Sequence, residues 1–175
     1  MSHTYHIGDL HIGHRSVCKY RTMFSSVEEH NETLVSNILS TVNKRDTLWL
    51  HGDLFFSPES LNSALEIVER CCTVNIILGN HDSDRKIRRE IIKTLVDCQN
   101  VKLHSLVSKY GAWLSHHPLH PAELRGKFNI HGHVHYQTIR EPGYFNVSAE
   151  NLGFFPRKTE DIMNAAKDND FDRWV

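Results

Sequence analysis

The sequence predicts an α/β fold whose first strands are parallel, and three observations carry that reading. Short β-prone apolar runs recur along the chain, stretches of helical periodicity separate the early ones, and polar residues of metal-binding type follow each run at once. The runs are Thr4–Ile7, Thr47–Leu50, Val74–Leu78, Ala112–Leu114 and Phe128–Ile130, each of strand length. Between the first two, Ser26-Val27-Glu28-Glu29 reads as a capping box that opens a helix with Leu34, Ile38 and Leu39 on one face. A second helix is expected to open at Ser57-Pro58, serine as cap and proline in the first turn, and to bury Leu61, Leu65, Val68 and Cys72. A third carries Ile87, Ile91 and Leu95 at four-residue steps. The later strands follow more closely and are expected to extend or face the parallel ones. The polar stretch from Asp161 to Val175, with Trp174 near its end, reads as a loosely docked tail.

The chain's 175 residues fit one domain, 1–175, with a single core. Hydrophobic residues make up 39% and charged residues 23%, which excludes disordered and fibrous classes. The formal net charge of -1 excludes a global basic field of the kind that holds nonspecific nucleic-acid binders. The N-terminus lacks a basic and apolar leader, and no apolar run approaches the roughly 18 residues that span a bilayer, so a cytoplasmic location without a membrane partner is expected. Cys18, Cys71, Cys72 and Cys98 show no C-x-x-C spacing and read as buried free thiols. The one oddity of composition is 14 histidines. Histidine is the commonest metal ligand, so their placement decides what the excess means.

That placement is ordered. Asp9-Leu10-His11, Gly52-Asp53, Gly79-Asn80-His81-Asp82, His116-His117-Pro118 and Gly132-His133-Val134-His135 each follow one of the five apolar runs. In an open α/β sheet the C-terminal strand ends line one crevice, so five such segments can converge on one point. Any one of them alone would be an ordinary loop cap; chance does not repeat the pattern at every strand and set glycine beside three of the segments. Glycine there lets the backbone turn sharply at a ligand.

In their order and spacing these motifs resemble the signature of the calcineurin-like metallophosphoesterases. The resemblance is closest to the small bacterial and phage-type members, which open with Asp-x-His-x-Gly-His, here Asp9 to His14, and close with a segment like Asn146-Val147-Ser148. It covers residues 9 to 135 and, more weakly, the tail to Ile162. The resemblance implies an αββα sandwich: two mixed β-sheets packed face to face with helices outside. It also implies a dinuclear centre in which Asp9, His11, Asp53 and His135 hold one ion, and Asp53, Asn80, His116 and His133 the other. Asp53 would then bridge the two. Mixed imidazole and carboxylate ligands suit Mn2+ first, with Ni2+, Fe2+ or Zn2+ as alternatives.

The activity implied is hydrolysis of a phosphodiester or phosphomonoester of a small, nucleotide-like substrate by a hydroxide bridging the ions. His81 would protonate the leaving oxygen and Asp82 would orient its imidazole. Substrate phosphate could be gripped by His14, Arg15 and Arg21, just beyond the first ligands. Walls built from Ser16–Ser25, Leu119–Lys127 and Tyr136–Gly143 would add Arg125, Lys127 and Arg140, with Tyr20 and Tyr136 as stacking faces. His117 and His120 read as pocket wall or surface, and His51 and His131 as donors behind the ligands. His3, His6, His30 and His104 fit no motif. A nuclease acting on short or single-stranded nucleic acid is the nearest alternative, without a strong case for duplex. A noncatalytic metal-binding scaffold is the alternative from another class.

Overall fold

A computed structural model describes all residues, Met1–Val175. Its strands are β1 (Thr4–Ile7), β2 (Thr47–His51), β3 (Thr73–Ile77), β4 (Val101–His104), β5 (Val107–Lys109), β6 (Ala112–Leu114), β7 (Phe128–His131), β8 (Tyr144–Asn146) and β9 (Arg157–Lys158). The helices are α1 (Val27–Thr41), α2 (Ser60–Arg70), α3 (Lys86–Val96), the single turn α4 (Pro121–Leu124) and α5 (Thr159–Asp168).

One sheet has the order β4-β3-β2-β1-β9, parallel except for β9. The other has the order β5-β6-β7-β8, where β6, β7 and β8 are parallel and β5 is antiparallel. The two mixed sheets form a sandwich with helices outside. Ile7, Leu50, Ile76, Leu114, Ile130 and Phe145 come from both sheets and join one hydrophobic cluster of 33 residues. Strands buried on both faces read as continuous apolar runs, which is why β1, β2 and β3 were legible. The sheets are laced together where β1 and β8 end: Gly8 donates its N–H to Val147 O at 2.8 Å and accepts from Ala149 N at 2.9 Å.

Several expectations need correction. The first helix is capped by Ser26, whose hydroxyl accepts from Glu29 N, but the Glu29 carboxylate reaches back to Ser25 N at 2.8 Å, one residue before the cap. The second helix begins at Ser60 and not at Ser57, because Ser57 and Pro58 form a turn in which Ser57 O accepts from Ser60 N at 3.1 Å. It buries Ala64, Ile67 and Val68, with Cys71 buried at its C-cap; Leu61 and Leu65 are only half-buried and Cys72 is exposed. The third helix buries Ile91, Ile92 and Leu95, while Ile87 in its first turn is exposed. Of the four free cysteines only Cys71 is buried, and burial pushes its thiol up to about 12. The tail is docked: α5 buries Ile162, Ala165 and Ala166 against β1, β8 and β9, and Trp174 meets Phe145 edge-on. No helix is long and apolar enough to cross a membrane.

Candidate metal centre

Registers such as Ile7↔Leu50, His51↔Ile77, Leu114↔Ile130 and His131↔Asn146 bring the C-terminal ends of six parallel strands level, three from each sheet. Asp9, Asp53 and Asn80 follow β1, β2 and β3; His116 follows β6, and His133 and His135 follow β7. Aiming those side chains inward requires unusual backbone. Asp9, His11, Asp53, His133 and His135 all take positive φ, between 51° and 73°. Left-handed φ is uncommon outside glycine and is tolerated best by Asn, Asp and His, so ligand chemistry and backbone demand select the same residue types here. Two motif glycines solve a different problem. A Cβ on Gly52, itself at φ 75°, would stand 2.5 Å from His116 Nδ1, and one on Gly79 would collide with the Asp53 carboxylate.

The structure gathers six of the seven predicted ligand residues, all but Asn80, together with His117, into three overlapping groups, each with its ligand atoms within 4.8 Å of one another: Asp9–His11–His135, Asp9–Asp53–His116, and His116–His117–His133. Asp53 Oδ2 lies 3.9 Å from His11 Nε2 and 3.5 Å from His116 Nε2, between the outer two groups. Asp53 Oδ1 accepts from His81 N at 2.8 Å, and Asp9 Oδ2 accepts from His133 N at 2.9 Å and Ser148 Oγ at 2.8 Å. These bonds fix one oxygen of each carboxylate and leave the other to the crevice.

The site's polar groups are arranged for a cation. Asp9 Oδ1 and His11 Nε2 are buried without a hydrogen-bond partner, a costly state for a polar atom. His116 donates Nδ1–H to His51 O at 2.8 Å, so in the neutral ring Nε2 turns a lone pair toward Asn80 Oδ1 at 3.0 Å and Asp53 Oδ2. Acceptors that face one another in this way are satisfied by a shared positive ion. Burial raises the Asp9 carboxyl to about 6, partly offset by the charges of His116 and His135. Burial also lowers His11 well below its ordinary value and His133 to about 4, the latter with help from His117 and His116, so both rings keep free lone pairs at neutral pH. The donor set therefore fits a metal ion, and these His/Asp groups can hold one.

Behind the ligands lies a support the sequence did not reveal. Glu150, in the turn after β8, accepts Nδ1–H of His135 at 2.6 Å and pairs with Arg21 Nη2 at 2.6 Å. Burial alone would lower His135, but the bond and charge of Glu150 outweigh it and raise the ring, while Glu150 is held below its ordinary value in spite of its own burial. Binding His135 through Nδ1 turns Nε2 toward Asp9, as a carboxylate commonly does for a metal-ligating histidine. Nothing in residue spacing links Glu150 to His135; only the return of β8 to the crevice does.

No family model matches the sequence. The gene 66 protein of Mycobacterium phage L5 is 34% identical over 168 aligned residues, with 79% of this chain and 80% of that protein covered. The chain belongs to the family of that phage protein. An uncharacterized protein of Methanocaldococcus jannaschii is 29% identical over 155 residues, covering 87% of this chain and 80% of its own. A protein of unknown function from Aquifex aeolicus, 21% identical, has the same fold, with a TM-score of 0.68 over 94% of this chain and 99% of that one.

The remaining predicted residues divide. His81 stands over the crevice, its ring 6.4 Å from that of His11, but Asp82 does not orient it. The Asp82 carboxylate is buried and accepts from three backbone donors, Asp53 N, Leu54 N and Gly79 N, at 2.9, 2.9 and 2.7 Å. It ties the second ligand loop to the third. The partner of His81 Nδ1 is Asp84 Oδ2 at 3.0 Å; Asp84 also pairs with Arg88 at 2.8 Å, and that guanidinium lies 3.9 Å over the Phe56 ring.

Arg21 is likewise corrected as a phosphate grip. It is 2% exposed, and its guanidinium is committed to Asp9 O, Leu10 O, His30 and Glu150, so no edge is left for an anion. His14 lines the crevice beside His11 and Phe56, and Arg15 is exposed outside it. Arg125, Lys127 and Arg140 lie elsewhere, beside Glu123, over Trp113, and paired twice with Asp172. Among the histidines expected to stand behind the ligands, His51 supports His116 through its carbonyl, whereas the His131 ring bonds its neighbour's Gly132 O.

Proposed function

We propose that this protein is a calcineurin-like, dinuclear metal-dependent phosphoesterase acting on a phosphomonoester or phosphodiester of a small, nucleotide-like molecule. The observation that carries the reading is Asp53 Oδ2 standing between two ligand clusters whose facing lone pairs call for cations. Asp9, His11, Asp53 and His135 would hold one ion, and Asp53, Asn80, His116 and His133 the other, with Mn2+ the first candidate. When bound, such a pair lowers the pKa of a water, clamps phosphate oxygens and offsets their charge during in-line attack.

The chain's own residues supply the rest. Hydrogen bonds from His81 N and Ser148 Oγ aim the carboxylates, and Glu150 fixes the tautomer of His135. His81 donates its Nδ1–H to Asp84, which orients the ring, and when Nε2 also carries a proton that proton can pass to a leaving oxygen. Lys19, Tyr20, Val134, Tyr136 and Gln137 wall a cavity of about 780 Å³ that opens onto His11, His81, His133 and His135. That size matches small-ligand sites, and the exposed rings of Tyr20 and Tyr136 offer stacking faces for a base. A groove of about 570 Å³ between α1 and α2 gathers no comparable set of ligands.

The test is a hydrolysis screen with Mn2+, Ni2+, Zn2+ and Mg2+ supplied separately, over phosphomonoesters, bis(p-nitrophenyl) phosphate, cyclic nucleotides and long duplex DNA. Metal-dependent turnover of the small esters is expected. Efficient duplex cleavage with weak small-ester turnover would favour a nuclease, and two tightly held ions with no turnover at all would favour a scaffold.

A further inference from the structure

We propose that His117 is a third imidazole ligand of the outer metal position, beside His116 and His133, and that it makes this position select a nitrogen-preferring ion such as Zn2+ over Mg2+. The inference rests on the dinuclear reading above and adds a residue to it.

Three observations carry it. A ligand nitrogen of His117 lies within 4.8 Å of those of both His116 and His133, the same closeness that unites Asp9, His11 and His135 at the other position. The rings are held in that relation: His117 lies 4.8 Å from His116 at an interplanar angle of 88°, and 4.1 Å from His133 at 47°. The backbone is pinned as well, because Ser115 Oγ donates to His117 O at 2.6 Å. His117 is exposed whereas His116 is buried, so its ring stands on the solvent side of the cluster.

The two positions then differ in kind. One is lined by two carboxylates and two imidazoles, the other by three imidazoles, one carboxylate and one amide oxygen. Imidazole suits Zn2+, Ni2+ and Fe2+, whereas oxygen-rich sets suit Mg2+ and Mn2+, so a third ring shifts the preference of the outer position toward the first group.

Metal-stripped full-length protein is titrated calorimetrically with Zn2+ and with Mg2+, and separately with Co2+ while the visible d–d bands are recorded. Wild type is compared with His117→Ala, His117→Phe, and His120→Ala as a control whose ring nitrogen caps α4. His117 is exposed, so these variants should keep the wild-type circular dichroism spectrum. If His117 is a ligand, both His117 variants weaken the second Zn2+ equivalent by at least about tenfold and alter the d–d bands of the second Co2+, while His120→Ala changes neither; tenfold is the lower bound for partners one step further from a metal. Wild-type affinity and d–d bands in His117→Phe would overturn the proposal in favour of a plain aromatic wall, with the dinuclear reading intact. Fewer than two equivalents bound by the wild type would overturn both.

Discussion

The rear and the front of the crevice are built differently. At the rear, Asp9, Ser148, Glu150 and Arg21 are all buried, and every bond they make ends on another fixed group. At the front, Asn80 and His117 are exposed, His81 is half-exposed, and the His81–Asp84–Arg88 chain lies over Phe56 at the rim. The rear has the character of a preorganised mount that fixes lone pairs before any ion arrives, at the cost of enclosing charge. Under the proposed function, the exposed groups of the front are those a substrate can reach. Substitutions at the rear should therefore remove fold and metal together, and substitutions at the front should remove chemistry alone.

The sharpest break of this contrast is at Asp53, which belongs to both regions. Asp53→Asn keeps a residue that tolerates the left-handed backbone, so the fold should persist, yet the shared anion is gone. Metal content by mass spectrometry should fall below two equivalents, and kcat/KM by at least about 10³-fold, the upper range for losing a single preorganised electrostatic contact. Two retained ions would show that Asp53 is not the bridge.

Glu150→Gln probes the rear alone. Removing one partner of a buried ion pair typically costs about 3–5 kcal/mol, because Arg21 would be left charged and unpaired. The denaturation midpoint should drop accordingly, with metal affinity down about 10–100-fold. Unchanged stability would mean the rear is not a mount.

At the front, His81→Ala should keep both ions and the wild-type melting temperature and lose about 10²–10⁴-fold in turnover, less with p-nitrophenolate leaving. Asp84→Asn should cost less, about tenfold, and shift the pH profile, since Asp84 acts only through the His81 ring. Asp82→Asn should instead destabilise, because its carboxylate holds three backbone donors. If Asp84→Asn were silent and Asp82→Asn altered the pH profile at wild-type stability, the orienting role would return to Asp82.

What was legible in the sequence is what repeats. Asp9, Asp53, Asn80, His116 and His133 each follow an apolar run, and parallel strands of equal phase must bring their ends level. Partners across the crevice were not legible. Glu150 reaches His135 only because β8 returns beside β7, and Asp84 lies two residues from Asp82, a distance at which loop backbone and not spacing decides which carboxylate meets the imidazole. Local pattern failed also on α2, where Ala64 is fully buried while the more hydrophobic Leu61 is only half-buried. The polar C-terminal stretch concealed a helix because three small or branched residues, Ile162, Ala165 and Ala166, are enough to dock it.

The bond from Ser148 Oγ to Asp9 Oδ2 joins residues 139 positions apart. Together with the Gly8–Val147 and Gly8–Ala149 pairs, it ties the first strand of one sheet to the last strand of the other. Closing a loop of that length adds little to the equilibrium cost, since loop entropy grows only logarithmically, but contacts so distant in sequence form slowly. During synthesis Asp9 emerges early and waits for Ser148. Nascent chains that lack β8 and the turn after it therefore present Asp9 without the Ser148 hydroxyl that fixes its carboxylate.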